Sequence, residues 1–272
     1  MQAPSIYRVS QSVSVIIPAL NEARNLPAVL TRIPAWVSEV VLVDGHSSDD
    51  TVQIAQKLLP GIRVIMQEGC CKGDALRRGF DAATGDIIVM LDADGSTDPA
   101  EMGMFVRLLR NGADFVKGSR FLQGAGTADI SHLRRWGNNG LTMLVRWLFG
   151  CSFSDLCYGY MAFWKDVLPA LNLDADGFEI ETLMSVRALR ARLKVMEVHS
   201  FEAKRIYGES HLRTWTDGWR VLKVIIKERL AHFRRNYPAP LPVERQFVVN
   251  AEDRRAQNST RVNLEPVRNQ TR

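Results

Sequence analysis

The sequence predicts an α/β fold of the Rossmann-like kind: a mostly parallel sheet with helices on both faces, followed by amphipathic C-terminal helices. Three observations point there. Short β-branched runs alternate with stretches at helical spacing through the first 120 residues. One helix start carries its own capping chemistry. Acids and small residues recur just beyond the apolar runs, where the loops of an open parallel sheet converge.

The predicted strands are 13–17, 40–43, 64–66, 87–91 and 114–116, and the helices between them are 25–33, 49–58, 74–83 and 99–109. Strand, helix, strand repeated in this way means a largely parallel sheet covered on both faces. Thr97-Asp98-Pro99-Ala100-Glu101 starts a helix: Asp98 can cap free N–H groups, Pro99 suits the first turn, and Glu101 stands where a capping-box acid belongs. After Phe121 the rhythm breaks. A Gly/Ala/Thr loop at 123–129 precedes a helix over 133–149, a second over 179–191, a strand at 195–198 and a third helix over about 215–234.

Length and composition bound the rest. The 272 residues, 46% apolar and 24% charged, are globular in composition and bury a core without staples. Residues 1–12 read as an N-terminal extension, 13–235 as the folded domain, and 236–272 as a disordered tail. Within the domain, the break in rhythm after Phe121 divides a half at about 13–120 from one at about 121–235. Cys70, Cys71, Cys151 and Cys157 form no C-x-x-C pair, which excludes a zinc ribbon and fits a reducing compartment. No apolar h-region precedes Gln11 and no apolar run reaches the roughly 18 residues of a membrane span, so the chain is expected to be soluble or to lie on a membrane surface without crossing it. The net charge of +5 leaves an anionic partner open.

The segments just past the strands carry the chemistry: Pro18-Ala19-Leu20-Asn21-Glu22, Asp44-Gly45-His46-Ser47-Ser48-Asp49, Asp92-Ala93-Asp94-Gly95 and Lys117-Gly118-Ser119-Arg120. Asp92 and Asp94 share a face where extended backbone persists, and hard oxygen ligands suit Mg²⁺ or Mn²⁺. The alternative is a pair of acids capping the next helix. Asp44 reads equally as an Asx-turn residue. Lys72-Gly73 opens a helix and can present N–H groups and a cation to phosphate. No G-x-x-x-x-G-K-[ST] occurs, which excludes a P-loop NTPase.

Val15-Ile16-Ile17-Pro18-Ala19-Leu20-Asn21-Glu22, Val41-Leu42-Val43-Asp44-Gly45 with Ser47-Ser48-Asp49-Asp50-Thr51, and Asp92-Ala93-Asp94 together resemble the GT-A glycosyltransferases of family 2. Gly118-Ser119-Arg120 and Arg205-Ile206-Tyr207-Gly208-Glu209-Ser210 resemble, within it, the polyprenyl- or dolichyl-phosphate sugar synthases. The resemblance covers about 13–230. It implies inverting transfer of a sugar from a nucleotide-diphosphate donor. Pro18, Ala19, Asn21, Glu22, Asp44, Lys72 and Asp92 would bind that donor, and Asp92 with Asp94 the metal. Asp92-Ala93-Asp94-Gly95-Ser96-Thr97 is similar to the dolichyl-phosphate glucosyl type, which favours a UDP-sugar over GDP-mannose.

A lipid monophosphate acceptor is already anionic and needs only cations to position it. Arg120 and Arg205 match the family's positions for that task, joined by Arg134 or Arg135 and by Ser210; Glu181 resembles the family's acid at a helix start. A hydroxyl acceptor would need a base, with Asp155, Glu179 and Glu181 the candidates. His211 stands where the family often has Lys.

The helices at 133–149 and 215–234 mix Trp, Leu and Phe with cations, the pattern of a packed helix with a solvated face or of a helix in a bilayer interface. The expected partners are a nucleotide-sugar, a polyprenyl phosphate and a membrane surface, with room for a separate membrane protein. Two other readings stand beside this one: a soluble family-2 transferase with a saccharide or small-molecule acceptor, and a non-catalytic sugar-nucleotide or nucleic-acid binding protein. Nucleic acid is not expected, since no stacking platform or nucleic-acid motif occurs.

Overall fold

The computed structural model describes residues 11–209 and 213–232. The five predicted N-terminal strands form as β1 (Val13–Ala19), β2 (Glu39–Asp44), β3 (Arg63–Met66), β4 (Ile87–Met90) and β5 (Phe115–Ser119). Their β-branched and aliphatic side chains are almost all buried in β1, β2 and β4, as strands covered on both faces require. Between them lie α1 (Leu26–Leu30), α2 (Thr51–Leu58), α3 (Cys71–Ala82) and α4 (Met102–Arg110). Helix α3 rests on β1 and β2, and α4 on β5. At Gly79 the α3 backbone comes so close to Ile16 that a Cβ there would collide with it.

The second half adds β6 (Gly126–Thr127), α5 (His132–Phe149), β7 (Met161–Trp164), α6 (Leu168–Leu171), α7 (Ile180–Arg190), β8 (Val195–His199), β9 (Phe201–Glu202) and α8 (Thr214–His232). The main sheet has seven strands in the order β3-β2-β1-β4-β7-β5-β8. All pairings are parallel except those of β7, which is antiparallel to both β4 and β5. Strand β7 lies outside the sequence expectation, because a four-residue apolar run carries no period of its own. Its insertion between β4 and β5 weaves residues from before and after position 120 into one sheet.

Three details differ from expectation. Strand β5 runs on to Ser119, so Lys117 lies inside the sheet, fully buried, and donates to the Tyr158 carbonyl at 2.5 Å. Helix α3 starts at Cys71, three residues before Asp74. Asp98 caps as predicted, accepting from Ala100 N at 2.9 Å, but Glu101 makes no capping box. Its carboxylate instead accepts from Ser200 Oγ at 2.5 Å and Phe201 N at 3.1 Å, tying the start of α4 to the strand after β8.

Helix α8 is held by a buried ion cluster. Glu228 accepts from Arg187 at 2.8 Å and pairs with Arg190, both on α7. The acid that interrupts the basic face of α8 in the sequence thus points into the protein. The expected tail at 236–272 and positions Ser210 and His211 lie outside the described residues.

Candidate active site

A parallel sheet brings the carboxyl ends of its strands to one edge, and two cavities open there. The first, about 630 Å³, is lined by Pro18, Ala19 and Glu22 after β1, Gly45 after β2, Cys70, Cys71 and Lys72 at the start of α3, and Asp92 and Asp94 after β4. The second, about 200 Å³, runs between the sheet edge, α5 and α8, past Arg120, Arg134, Gly137, Tyr158, Glu181 and Val221. They share a wall made of Lys72, Asp92, Asp94, Phe178, Arg205 and Asp217.

In the first cavity the predicted donor residues divide by task. Pro18, Ala19, Glu22, Lys72 and Asp92 line it. Asn21 does not; at φ 58° it accepts from Ser48 N at 2.8 Å and locks the loop after β1 to the loop after β2. Asp44 holds the loop after β2. Its Oδ2 accepts from Ser47 N, three residues on, at 2.9 Å, while its buried Oδ1 has no hydrogen-bond partner among the described residues. A buried orphan carboxylate oxygen is costly unless something completes it, and a nucleobase N–H would do so.

The shared wall is a chain of alternating charge. Lys72 Nζ stands 2.5 Å from Asp92 Oδ1 and 2.7 Å from Glu181 Oε1. Burial works against the charged form of Lys72, but the two carboxylates outweigh it and hold the ammonium protonated above the usual lysine range. Burial pushes the Glu181 carboxyl up, against the pull of Lys72. Gly159 makes room for this pair: a Cβ there would lie 2.5 Å from Glu181 Oε1 and 3.1 Å from Lys72 Nζ. On the other side, Arg205 bonds to Glu22 and stands 3.3 Å from Asp94 Oδ2. Burial raises Glu22 despite its bonds to Asn25 and Arg205.

Asp92 and Asp94 remain partly open, with side-chain exposures of 30% and 21%. Asp94 Oδ1 accepts from Ser96 N at 2.9 Å. Among the described residues no group of three or more His, Cys, Asp or Glu side chains forms a closed metal cage. Two accessible carboxylates fit a Mg²⁺ or Mn²⁺ ion that takes its remaining oxygens from phosphate and water.

The expected phosphate cations separate. Arg205 is on the shared wall and Arg134 lines the second cavity. Arg135 turns away, stacking over the Phe121 ring at 5.2 Å. Arg120 lines the second cavity but its fork is taken up. Its Nε and Nη2 donate to Asp155 at 2.7 and 3.0 Å, and its Nη1 to Glu202 at 3.1 Å. Asp155, fully buried in that pair, is engaged as the partner of Arg120. Glu179 accepts from Gly177 N at 3.2 Å ahead of α7, where it lines neither cavity. The Lys72 bridge, the Gly159 clearance and the Glu202 contact went unseen in the sequence, because each joins residues far apart in the chain.

Helices α5 and α8 contact one another and carry apolar stripes to the surface. On α5 these are Leu133, Trp136, Met143 and Trp147; on α8, Trp215, Trp219, Ile226 and Leu230. Trp136 is 80% exposed, and Trp147 and Trp215 79%. No helix among the described residues is long and apolar enough to cross a membrane.

A Rossmann-like sheet with acids at the carboxyl edge and a cation chain between two cavities defines a nucleotide-handling transferase class. The chain belongs to glycosyl transferase family 2, whose profile matches residues 14–171. It is 32% identical over 212 residues to the dolichol-phosphate mannosyltransferase of Pyrococcus furiosus, covering 74% of this chain and 59% of that protein. It is 29% identical over 222 residues to the polyprenol monophosphomannose synthase of Mycolicibacterium smegmatis, covering 77% and 84%. The chain thus spans about three fifths of the length of the archaeal relative and most of the mycobacterial one. Its fold matches glucosyl-3-phosphoglycerate synthase from Mycobacterium tuberculosis, crystallised with Mn²⁺ and UDP, with a TM-score of 0.66 at 23% identity over 80% of each chain.

Proposed function

We propose that the protein transfers a hexose, with inversion, from a nucleoside-diphosphate sugar to a polyprenyl monophosphate at a membrane surface. The observation that carries this reading is the pair of cavities meeting at Lys72, Asp92, Asp94 and Arg205. One is acid-rimmed with an orphan acceptor at Asp44 beside it; the other leads between two helices whose outer faces are apolar and rich in tryptophan. The names of the Pyrococcus and Mycolicibacterium relatives support a lipid phosphate acceptor.

In this reading the first cavity holds the nucleoside, with Asp44 accepting from the base. A Mg²⁺ or Mn²⁺ ion held by Asp92 and Asp94 would supply charge to the departing diphosphate. Arg205 and Arg134 hold the acceptor phosphate with its oxygen toward the anomeric carbon, and no protein base is required. Arg120 acts at a distance, fixing Asp155 and Glu202 in the wall of the acceptor cavity. The stripes of α5 and α8 lie in the headgroup region, where Trp is favoured and the nearby arginines meet anionic lipid. The site then faces the cytoplasmic leaflet.

A second reading rests on Glu181, which lines the acceptor cavity and is raised by burial. It could serve as base toward a hydroxyl acceptor.

The test offers labelled UDP-glucose, UDP-N-acetylglucosamine and GDP-mannose in turn, with Mn²⁺ and polyprenyl phosphate in detergent. Label in the organic phase, lost in Asp94→Ala and Arg205→Ala, is the expected result and names the donor. Metal-dependent donor hydrolysis without lipid product would discard the lipid acceptor. Donor binding with neither product would discard the transferase.

A further inference from the structure

The start of α3 holds a feature that sugar transfer does not use. Cys70 and Cys71 are adjacent, both exposed, and both on the wall of the donor cavity. The Cys71 thiol donates to Cys70 Sγ at 3.1 Å. Cys71 sits at φ 72°, in the left-handed region that a side chain seldom adopts, with its carbonyl accepting from Gln67 Nε2 at 2.8 Å. The next residue is Lys72, which bridges Asp92 and Glu181.

We infer that Cys70 and Cys71 are a modification site: a vicinal dithiol that a low-molecular-weight disulfide oxidises to a cyclic disulfide, weakening donor binding. The sulfurs need only close from 3.1 Å to the roughly 2 Å of a disulfide bond. Neighbouring Cα atoms are about 3.8 Å apart across a trans peptide, short of the roughly 4.4–6.8 Å of ordinary disulfides. The ring is therefore strained and readily reduced, the property of a reversible switch rather than a structural staple.

The exchange can begin at either exposed sulfur, as here at Cys70. Its thiolate attacks the small disulfide and expels one thiol. Cys71 then gives up its proton and attacks the mixed disulfide at the Cys70 sulfur, expelling a second. The dithiol loses two electrons and both thiol hydrogens, and the small disulfide becomes two thiols. Closing the ring rotates Cys71 and carries Lys72 with it, away from Asp92 and Glu181. This last consequence rests on the donor reading of the first cavity.

The test treats reduced wild type, Cys70→Ser, Cys71→Ser and the double Ser variant with oxidised glutathione. Wild type should lose two hydrogens by intact mass, retain no adduct, and show the bond in the peptide spanning 70–71. Its UDP or GDP affinity should fall roughly tenfold and return with dithiothreitol, while the double variant keeps the affinity of its untreated form. A stable glutathione adduct on wild type, or no reaction at either cysteine, would overturn the proposal. So would ring closure with unchanged nucleotide affinity. If reduced wild type binds neither nucleotide, the donor reading falls and with it the proposed effect on the donor; ring closure itself is still decided by mass.

Discussion

Lys72 Nζ lies 2.7 Å from Glu181 Oε1, across 109 residues of chain, and the same ammonium reaches Asp92. One lysine at the start of α3 thus ties the carboxyl edge of the sheet to the first turn of α7 in the second cavity. Glu181 is buried and Lys72 nearly so, and neither is cheaply left alone.

Removing the lysine should therefore cost stability before it costs binding. Lys72→Met leaves the Glu181 carboxylate buried without its partner, and urea unfolding should show a loss of about 3–5 kcal/mol. Adding Glu181→Gln in that background should recover a substantial part. No recovery would mean that Lys72 stabilises through Asp92 alone.

Arg120 and Arg205 should separate by readout. Arg120→Ala strands Asp155 and Glu202, two acids that now share one guanidinium, and should lower stability by about 3–5 kcal/mol. Arg205→Ala also strands a buried acid, Glu22, so the separating variant is Arg205→Lys, which keeps a cation beside Glu22 and should leave the unfolding midpoint nearly unchanged while sharply lowering transfer. Equal stability losses would place Arg205 in the scaffold.

Gly159→Ala tests the clearance beside Glu181. The new methyl would meet Glu181 Oε1 at 2.5 Å and should displace the pair, lowering transfer by about a hundredfold with the fold retained by circular dichroism. Gly103→Ala, with nothing within 4 Å of its Cβ, is the control and should be silent.

Glu197 predicts a pH dependence of stability. Burial pushes its carboxyl from 4.5 up to about 7, against bonds from Ser154 and Asp155 N–H groups. Below the lower value both folded and unfolded chains hold the proton. Between the two the folded chain keeps it and the unfolded chain releases it, so stability falls as pH rises through this window and levels off above it. The contribution is on the order of 3 kcal/mol at most. Glu197→Gln should flatten the denaturation midpoint across that range; an unchanged slope would assign it to other groups.

The stripes on α5 and α8 predict membrane binding. Trp136→Ser with Trp147→Ser and Trp215→Ser should reduce sedimentation with anionic vesicles and transfer to lipid, while nucleotide affinity stays level. Unchanged sedimentation would remove α5 and α8 from the interface.

The edge of the sheet was legible because a parallel sheet has no choice about where its strand ends go. Once 13–17, 40–43 and 87–91 are strands, Pro18, Glu22, Asp44, Asp92 and Asp94 must share one rim. Hydrophobic period and helix spacing are local, and local signals survive in sequence. Strand β7 did not, since a short buried run looks alike in helix or strand and its place between β4 and β5 is a long-range choice.

Local pattern and motif were enough for the fold class, the family and the placing of acids at the carboxyl edge of the sheet. How the charges pair was settled by the folded chain alone. Arg120 became the partner of Asp155 and Glu202, Arg205 the neighbour of Glu22 and Asp94, and Lys72 the bridge from Asp92 to Glu181. Folding also turned Arg135 aside and brought Cys70 and Cys71 to the wall of the first cavity. Burial makes an unpaired charge expensive, so which cation meets which carboxylate is set by what the whole chain buries together.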